Sequence, residues 1–180
     1  MNTTRTGWIG RVCAEWNEKI PAAGGIPAES VAPGWIKGPE TERTMLTQSR
    51  LAYTFLHAGL PAGTEYARAA LARAGRDAAA RVERLFWKPS SRGWIRAVTP
   101  GGAPADETID TYDQAFGLLM LAWAYMATGT EEARASARET ALLALAGLDG
   151  ESSGSGGGYR ERREGSAGSR LVQYPDLRRQ

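Results

Sequence analysis

Apolar positions recur at helical spacing in five stretches of the chain. Over residues 8–20, Trp8, Ile9, Val12, Cys13, Trp16 and Ile20 fall on one helical face, with Glu15, Glu18 and Lys19 opposite. The same spacing predicts helices over 41–58 and 64–87. The 64–87 helix carries the stripe Ala67, Leu71, Ala74, Ala78, Val82 and Leu85, and its arginines (68, 73, 76, 81, 84) mostly line the other faces. A fourth helix, over 110–128, is apolar on every side from Ala115 to Ala127, which predicts burial all round. Thr111 with Gln114 three residues later fits a capping box at its start. A fifth helix over 131–146 has Thr130 as its cap and Gly147 as its stop.

Turn-rich segments separate these helices. PAAGGIPAESVAPGWIKGPE follows the first and predicts an irregular loop or short hairpin; SSRGWIRAVTPGGAP follows the third. The Gly/Ser-rich run around 150–158 has the composition of a flexible loop. Three of these segments resemble one another: GGI-x-x-E at Gly24–Glu29, RGWIR at Arg92–Arg96 and GGYRE at Gly157–Glu161. They recur at about 65 residues, and the first two each precede two helices, which is the mark of a helical array or toroid. Each helix pair must bury its inner face on its neighbours. One lone helix, two complete loop–helix–helix units and a further loop make up the chain, so the array is expected to be an incomplete ring.

Composition narrows the function. The chain has 180 residues, 42% hydrophobic and 23% charged, as in globular domains. A net charge of +2 is too small for a dedicated nucleic-acid binder. Cys13 and His57 are the only cysteine and the only histidine, which excludes an internal disulfide and multi-His zinc sites. No apolar run reaches the roughly 18 residues of a membrane span, and the first residues lack the apolar core of a signal peptide. The expected setting is the cytoplasm, with no membrane and no nucleic-acid partner.

The candidate chemistry lies on helices two and four. Leu46, Arg50, Tyr53 and His57 form one stripe, opposite Met45, Ala52, Phe55 and Leu56. An arginine on such a helix lines a polar pocket, or it snorkels or pairs with an acid; spacing leaves both open. His57, next to Ala58-Gly59, is expected to act as a C-terminal cap. Asp113 in the first turn of helix four suits the helix dipole, whereas the hydroxyl of Tyr112 needs a partner or a ligand. Most of the six tryptophans (8, 16, 35, 87, 94, 123) fall on apolar stripes or at turn edges and read as core.

These residues resemble a known family. TQSRLAYTFLHAG at 47–59, after GGI-x-x-E, is similar to the QAR-x-x-Y-x-F helix of the N-acylglucosamine 2-epimerase family. GWIRAVTPGG followed by DTYDQAFGLLMLAWAYMATG at 110–129 is similar to its YDHAF-x-L-L-A-x-A helix, and GGYRE with LRRQ at 177–180 resembles the segment before its NPHMHLLEA run. The resemblance implies an all-α fold, part of an (α/α)6 barrel or toroid of about five helices, with 1–180 the N-terminal portion of one barrel domain. Six units would need on the order of 390 residues.

It also implies chemistry. Family members interconvert sugars at C1–C2 through an enediol by His acid/base proton transfer, with no metal or redox cofactor, on a monosaccharide or disaccharide substrate. Arg50 matches the family's sugar-binding arginine and Tyr112 its pocket tyrosine, while Gln114 stands where the motif has His and Leu46 where some members have Trp. His57 matches no catalytic histidine, so no catalytic residue is assigned and the chain by itself is expected to be inactive. Two other readings stay open: a noncatalytic helical-repeat binding scaffold, and an (α/α)-toroid glycoside hydrolase using Asp110 and Asp113. The hydrolase ranks last, because both acids sit at a helix start where capping accounts for them.

Overall fold

Thr44 marks where the second helix can begin. In the computed structural model, its hydroxyl accepts a hydrogen bond from the Thr47 N–H at 3.3 Å and donates to the Glu29 carboxylate at 2.8 Å. Arg43 and Thr44 are themselves strand residues, so helix α2 spans Met45–Gly59 and not the earlier start that periodicity suggests. The structure describes residues 3–19, 26–39, 41–59, 65–127, 130–149 and 162–163. The loop at 150–158 lies outside them.

Five helices appear among those residues: α1 (Thr3–Lys19), α2, α3 (Glu65–Phe86), α4 (Thr111–Ala127) and α5 (Glu131–Asp149). α2 packs on α3 and α4 on α5, α2 lies alongside α4, and α1 rests on α2 and α3. α5 runs through Gly147, which is buried, so that glycine is not its stop. The antiparallel contact of α2 with α3 is close because Gly75 has no side chain: a Cβ there would lie 2.5 Å from Leu56 Cγ.

Short strands knit the loops together, and they repeat with the helices. The first loop forms a hairpin of β1 (Val31–Ala32) and β2 (Ile36–Lys37), with Gly34 and Trp35 at φ 83° and 63° in its turn. A left-handed tryptophan is unusual; here its ring meets Trp16 of α1 edge-on at 5.8 Å. β3 (Arg43–Thr44) precedes α2. After α3, β4 (Trp87–Lys88) and β5 (Gly93–Trp94) pair around a turn, followed by β6 (Ala97–Val98) and β7 (Pro104–Asp106). β8 (Ile109–Asp110) precedes α4, and β9 is Arg162–Arg163.

The strand before each paired helix joins the next unit's loop. β3 pairs with β6, matching Arg43 to Val98, and β8 pairs with β9, matching Ile109 to Arg163. The two pairings are displaced by 66 residues on one side and 65 on the other. A period of about 65 residues is therefore also a period of backbone pairing. Met45 N–H donates to the Arg96 carbonyl at 2.8 Å, fixing the start of α2 to the second loop.

The main core lies between the helix pairs and this second loop: Met45, Phe86, Trp94, Val98 and Met120 are all 1% exposed or less. A smaller cluster of Cys13, Phe55, Ala58 and Leu71 holds α1 down. The stripe of α3 behaves as its spacing predicts, with Leu71, Ala78 and Val82 buried. One of its arginines crosses over: Arg76 donates to the Ala127 carbonyl at 3.1 Å and caps the C-terminus of α4.

Two expectations of burial fail. On α1, Cys13 is buried but Trp8 is 60% exposed, because α1 touches its neighbours along only part of its length. Helix α4 is not buried all round: Tyr112, Leu119, Tyr125 and Met126 are exposed along one side. Its other sides face α2, α5 and β5. Among the described residues no helix is long and apolar enough to cross a membrane.

Candidate functional site

Contacts between α2 and α4 occur at matching positions in the two helices. Arg50 and Phe116 are each the sixth residue of their helix, and His57 and Trp123 are each the thirteenth. The Arg50 guanidinium carbon lies 4.6 Å from the centroid of the Phe116 ring, and the His57 and Trp123 rings meet at 4.9 Å. Two contacts at equal depth, two turns apart, require the helices to run parallel and in register. They are equivalent elements of successive units.

Loop contacts set where each helix begins. In the first unit, buried Gln48 donates from Nε2 to the Pro27 carbonyl at 3.1 Å and to the Glu29 carboxylate at 3.4 Å. Glu29 also accepts the Thr44 backbone N–H, so the Pro27–Glu29 part of the first loop is anchored on the N-terminal turn of α2. In the second unit Gln114, 1% exposed, accepts the Trp94 N–H at 2.8 Å and donates to the Trp94 carbonyl at 2.9 Å. Gln48 and Gln114 are both the fourth residue of their helices. The Gln114 side chain, expected to close a capping box with Thr111, spends its amide mainly on the loop, and its Nε2 also donates to the Asp110 carbonyl at 3.2 Å. Asp110 caps the helix start, its Oδ1 accepting the Tyr112 N–H at 2.9 Å.

Above these anchors stands a row of three side chains. Tyr112, 57% exposed, meets the Phe116 ring at 5.1 Å and 67°. Phe116 in turn carries Arg50. Arg50 and Tyr112 thus share one aromatic neighbour and are both exposed. Of the alternatives open for Arg50, pairing with a core acid is not seen among the described residues; the side chain is exposed and its cation sits over a ring at the α2–α4 seam. Such a contact is worth about 0.5–1 kcal/mol at an exposed site.

His57 sits farther along the same seam. Its ring stacks on Tyr53 at 5.6 Å and 8°, and Trp123 meets both rings edge-on. His57 lies in the last turn of α2, where the sequence places it, and ring packing is the contact it makes there. Asp113 is buried in the first turn of α4. Trp94 is core as expected, with Trp87 against it at 4.9 Å, whereas Trp123 is only half-buried.

Phe116, Gln48 and the loop-holding contacts of Gln114 carry geometry that the sequence pattern did not predict. A signal was present: TQSR and YDQA place Gln at the same helical position, one repeat apart. Nothing local distinguishes a glutamine that caps its own helix from one that holds a loop 20 residues upstream.

Comparison with known proteins fits this architecture. A family model described as N-acylglucosamine 2-epimerase matches residues 33–165. No curated sequence matches the chain significantly. Among solved structures, a sugar epimerase from a ruminal bacterium is similar with a TM-score of 0.72 at 19% identity, over 90% of this chain and 41% of its own. Cellobiose 2-epimerase from Spirochaeta thermophila DSM 6192 is similar with a TM-score of 0.65 at 23% identity, over 92% and 41%. A D-mannose isomerase gives 0.69 at 12% identity, over 87% and 39%. The chain therefore spans about two-fifths of the length of these structures, and its fold is part of their (α/α)6 barrel. With the family model covering most of its length and both loop–helix units in place, the chain belongs to the N-acylglucosamine 2-epimerase family.

Proposed function

We propose that this chain forms the N-terminal part of a sugar 2-epimerase or aldose–ketose isomerase, of the mannose–fructose or N-acylglucosamine–N-acylmannosamine type, and that Arg50 and Tyr112 bind the sugar. The observation that carries the reading is the row Arg50–Phe116–Tyr112 at the N-terminal ends of two parallel, registered helices. In such a barrel, equivalent helices of successive units line the centre, so residues at equal depth face one depression.

The chemistry asked of these groups is modest. Abstraction of the proton at C2 of an aldose leaves an enediolate; return of the proton to C1 gives the ketose, and return to the other face of C2 gives the epimer. Arg50 supplies a permanent charge and several N–H donors for the enediolate oxygens. Tyr112 adds a hydroxyl at the rim of an apolar surface. The proton itself needs histidines that the resemblance places outside this chain, and His57, packed between Tyr53 and Trp123, is not assigned that role. The chain alone is accordingly inactive, and it needs no cofactor. Purified 1–180 assayed for mannose–fructose exchange should stay at the buffer level; turnover above it would overturn the inactivity.

A binding scaffold is the alternative, and one observation favours it. Met126 and Leu142 are 61% and 54% exposed on α4 and α5, as a protein-docking face would be. Sugar binding that depends on Arg50 would decide for the first reading.

A further inference from the structure

The geometry points to Phe116 as a positioning residue: its ring holds the Arg50 guanidinium ready for a sugar oxygen without consuming any of its N–H donors. The inference rests on the sugar-binding reading above and adds to it the group that orients the arginine.

An arginine on an exposed helix face has several rotamers and loses freedom when it binds. Orientation by a carboxylate would occupy two of its donors and neutralise its charge. Among the described residues the neighbour of Arg50 is a ring, 4.6 Å from guanidinium carbon to centroid. A ring face attracts the cation but accepts no ordinary hydrogen bond, so the full charge and all five donors remain for a ligand.

The ring is itself held. Phe116 is half-buried, and Tyr112, one turn earlier on the same helix, abuts it at 67°. The next residue is Gly117, where a Cβ would come within 2.7 Å of Trp94 and of Met45, so α4 is seated hard against the core beside the ring. That seating sets the height of Phe116 against Arg50. A guanidinium with its donors free suits oxygen-rich ligands that carry or develop negative charge, as a sugar does on enolisation.

The test combines a geometric and a binding readout on chain 1–180. In NMR spectra the Arg50 side-chain protons should show the upfield displacement of a nearby ring face. Phe116→Leu should abolish it and Phe116→Tyr should retain it. In titrations with mannose, Phe116→Leu should weaken binding about two- to fivefold, Phe116→Tyr should restore it, and Phe116→Leu should add nothing in an Arg50→Ala background. Arg50→Lys keeps the charge but not the planar fork, and should bind as weakly as Phe116→Leu; it serves if the leucine variant does not fold. No ring-induced displacement in the wild type would overturn the inference, as would a Phe116→Leu chain that binds mannose like the wild type while Arg50→Ala is impaired. In that second case the sugar reading survives. If Arg50→Ala binds mannose as the wild type does, or the wild type binds none, the sugar reading fails and the positioning role falls with it.

Discussion

Gln114 closes a two-bond ring with the backbone of Trp94, accepting its N–H at 2.8 Å and donating to its carbonyl at 2.9 Å. A side-chain amide here does what a neighbouring strand would do. Because both residues are buried to 1% or less, neither backbone group has water to fall back on. Gln48 acts on the first loop from the same helical position, so the repeat is held by one device used twice.

Gln114→Ala should therefore be costly. It leaves a buried N–H and a buried carbonyl unpaired, which predicts a loss of about 2–4 kcal/mol. Urea unfolding followed by circular dichroism checks this; a loss under 1 kcal/mol would mean that the loop is held mainly by its strand pairings.

Gly75→Ala sets helix propensity against packing. Alanine gains about 1 kcal/mol in a helix interior, but its Cβ would lie 2.5 Å from Leu56 Cγ and 2.9 Å from the Leu56 backbone nitrogen. Overpacking costs about 1–3 kcal/mol, and a backbone atom cannot rotate away. The expected outcome is net destabilisation by roughly 1–2 kcal/mol, read as a lower urea midpoint. An unchanged or higher midpoint would show that α2 and α3 can separate freely.

Sequence pattern made much of the fold legible because its main determinants are local. The α3 stripe is set by spacing within 22 residues, and the loop repeat by glycine chemistry. What pattern could not show depends on distant partners. α2 starts at Met45 because Arg96, more than 50 residues on, accepts its N–H. α4 reads as buried all round because apolar composition records that a face is covered somewhere, not which neighbour covers it. Of the candidate site, Arg50 and Tyr112 are the residues that the family's motifs pick out. Phe116 lay within one of those motifs, but its place beside Arg50 follows only from the register of α2 against α4.

Glu83 gives the fold a pH dependence. Burial raises its carboxyl above the ordinary value of 4.5, against the opposing effect of a hydrogen bond from Thr140. A carboxyl raised in the folded state favours the folded protein when protonated, so its contribution is full below 4.5 and is lost as pH rises through the raised value. Glu83→Gln keeps a partner for Thr140 without a charge. Thermal melts should show the variant more stable than the wild type at pH 7, with the difference shrinking toward pH 4 (about the ordinary carboxyl range). A wild type that loses nothing between these pH values would contradict the burial effect.

The open side of α4 and α5 should bind a hydrophobic dye. Met126, Leu142 and Leu145 are 61%, 54% and 43% exposed, more than scattered surface residues explain. Replacing Met126 and Leu142 by Glu should lower dye fluorescence several-fold and favour the monomer in light scattering. Equal fluorescence in both chains would place the dye site elsewhere.

The proposal that Arg50 and Tyr112 face the sugar together is tested most directly by mapping backbone and Arg side-chain NMR signals of chain 1–180 during titration with mannose. Saturable shifts are expected, confined to Arg50, Tyr112, Phe116 and their helical neighbours and absent from the Arg50→Ala chain. Shifts centred on another face, or none up to saturating sugar, would contradict it.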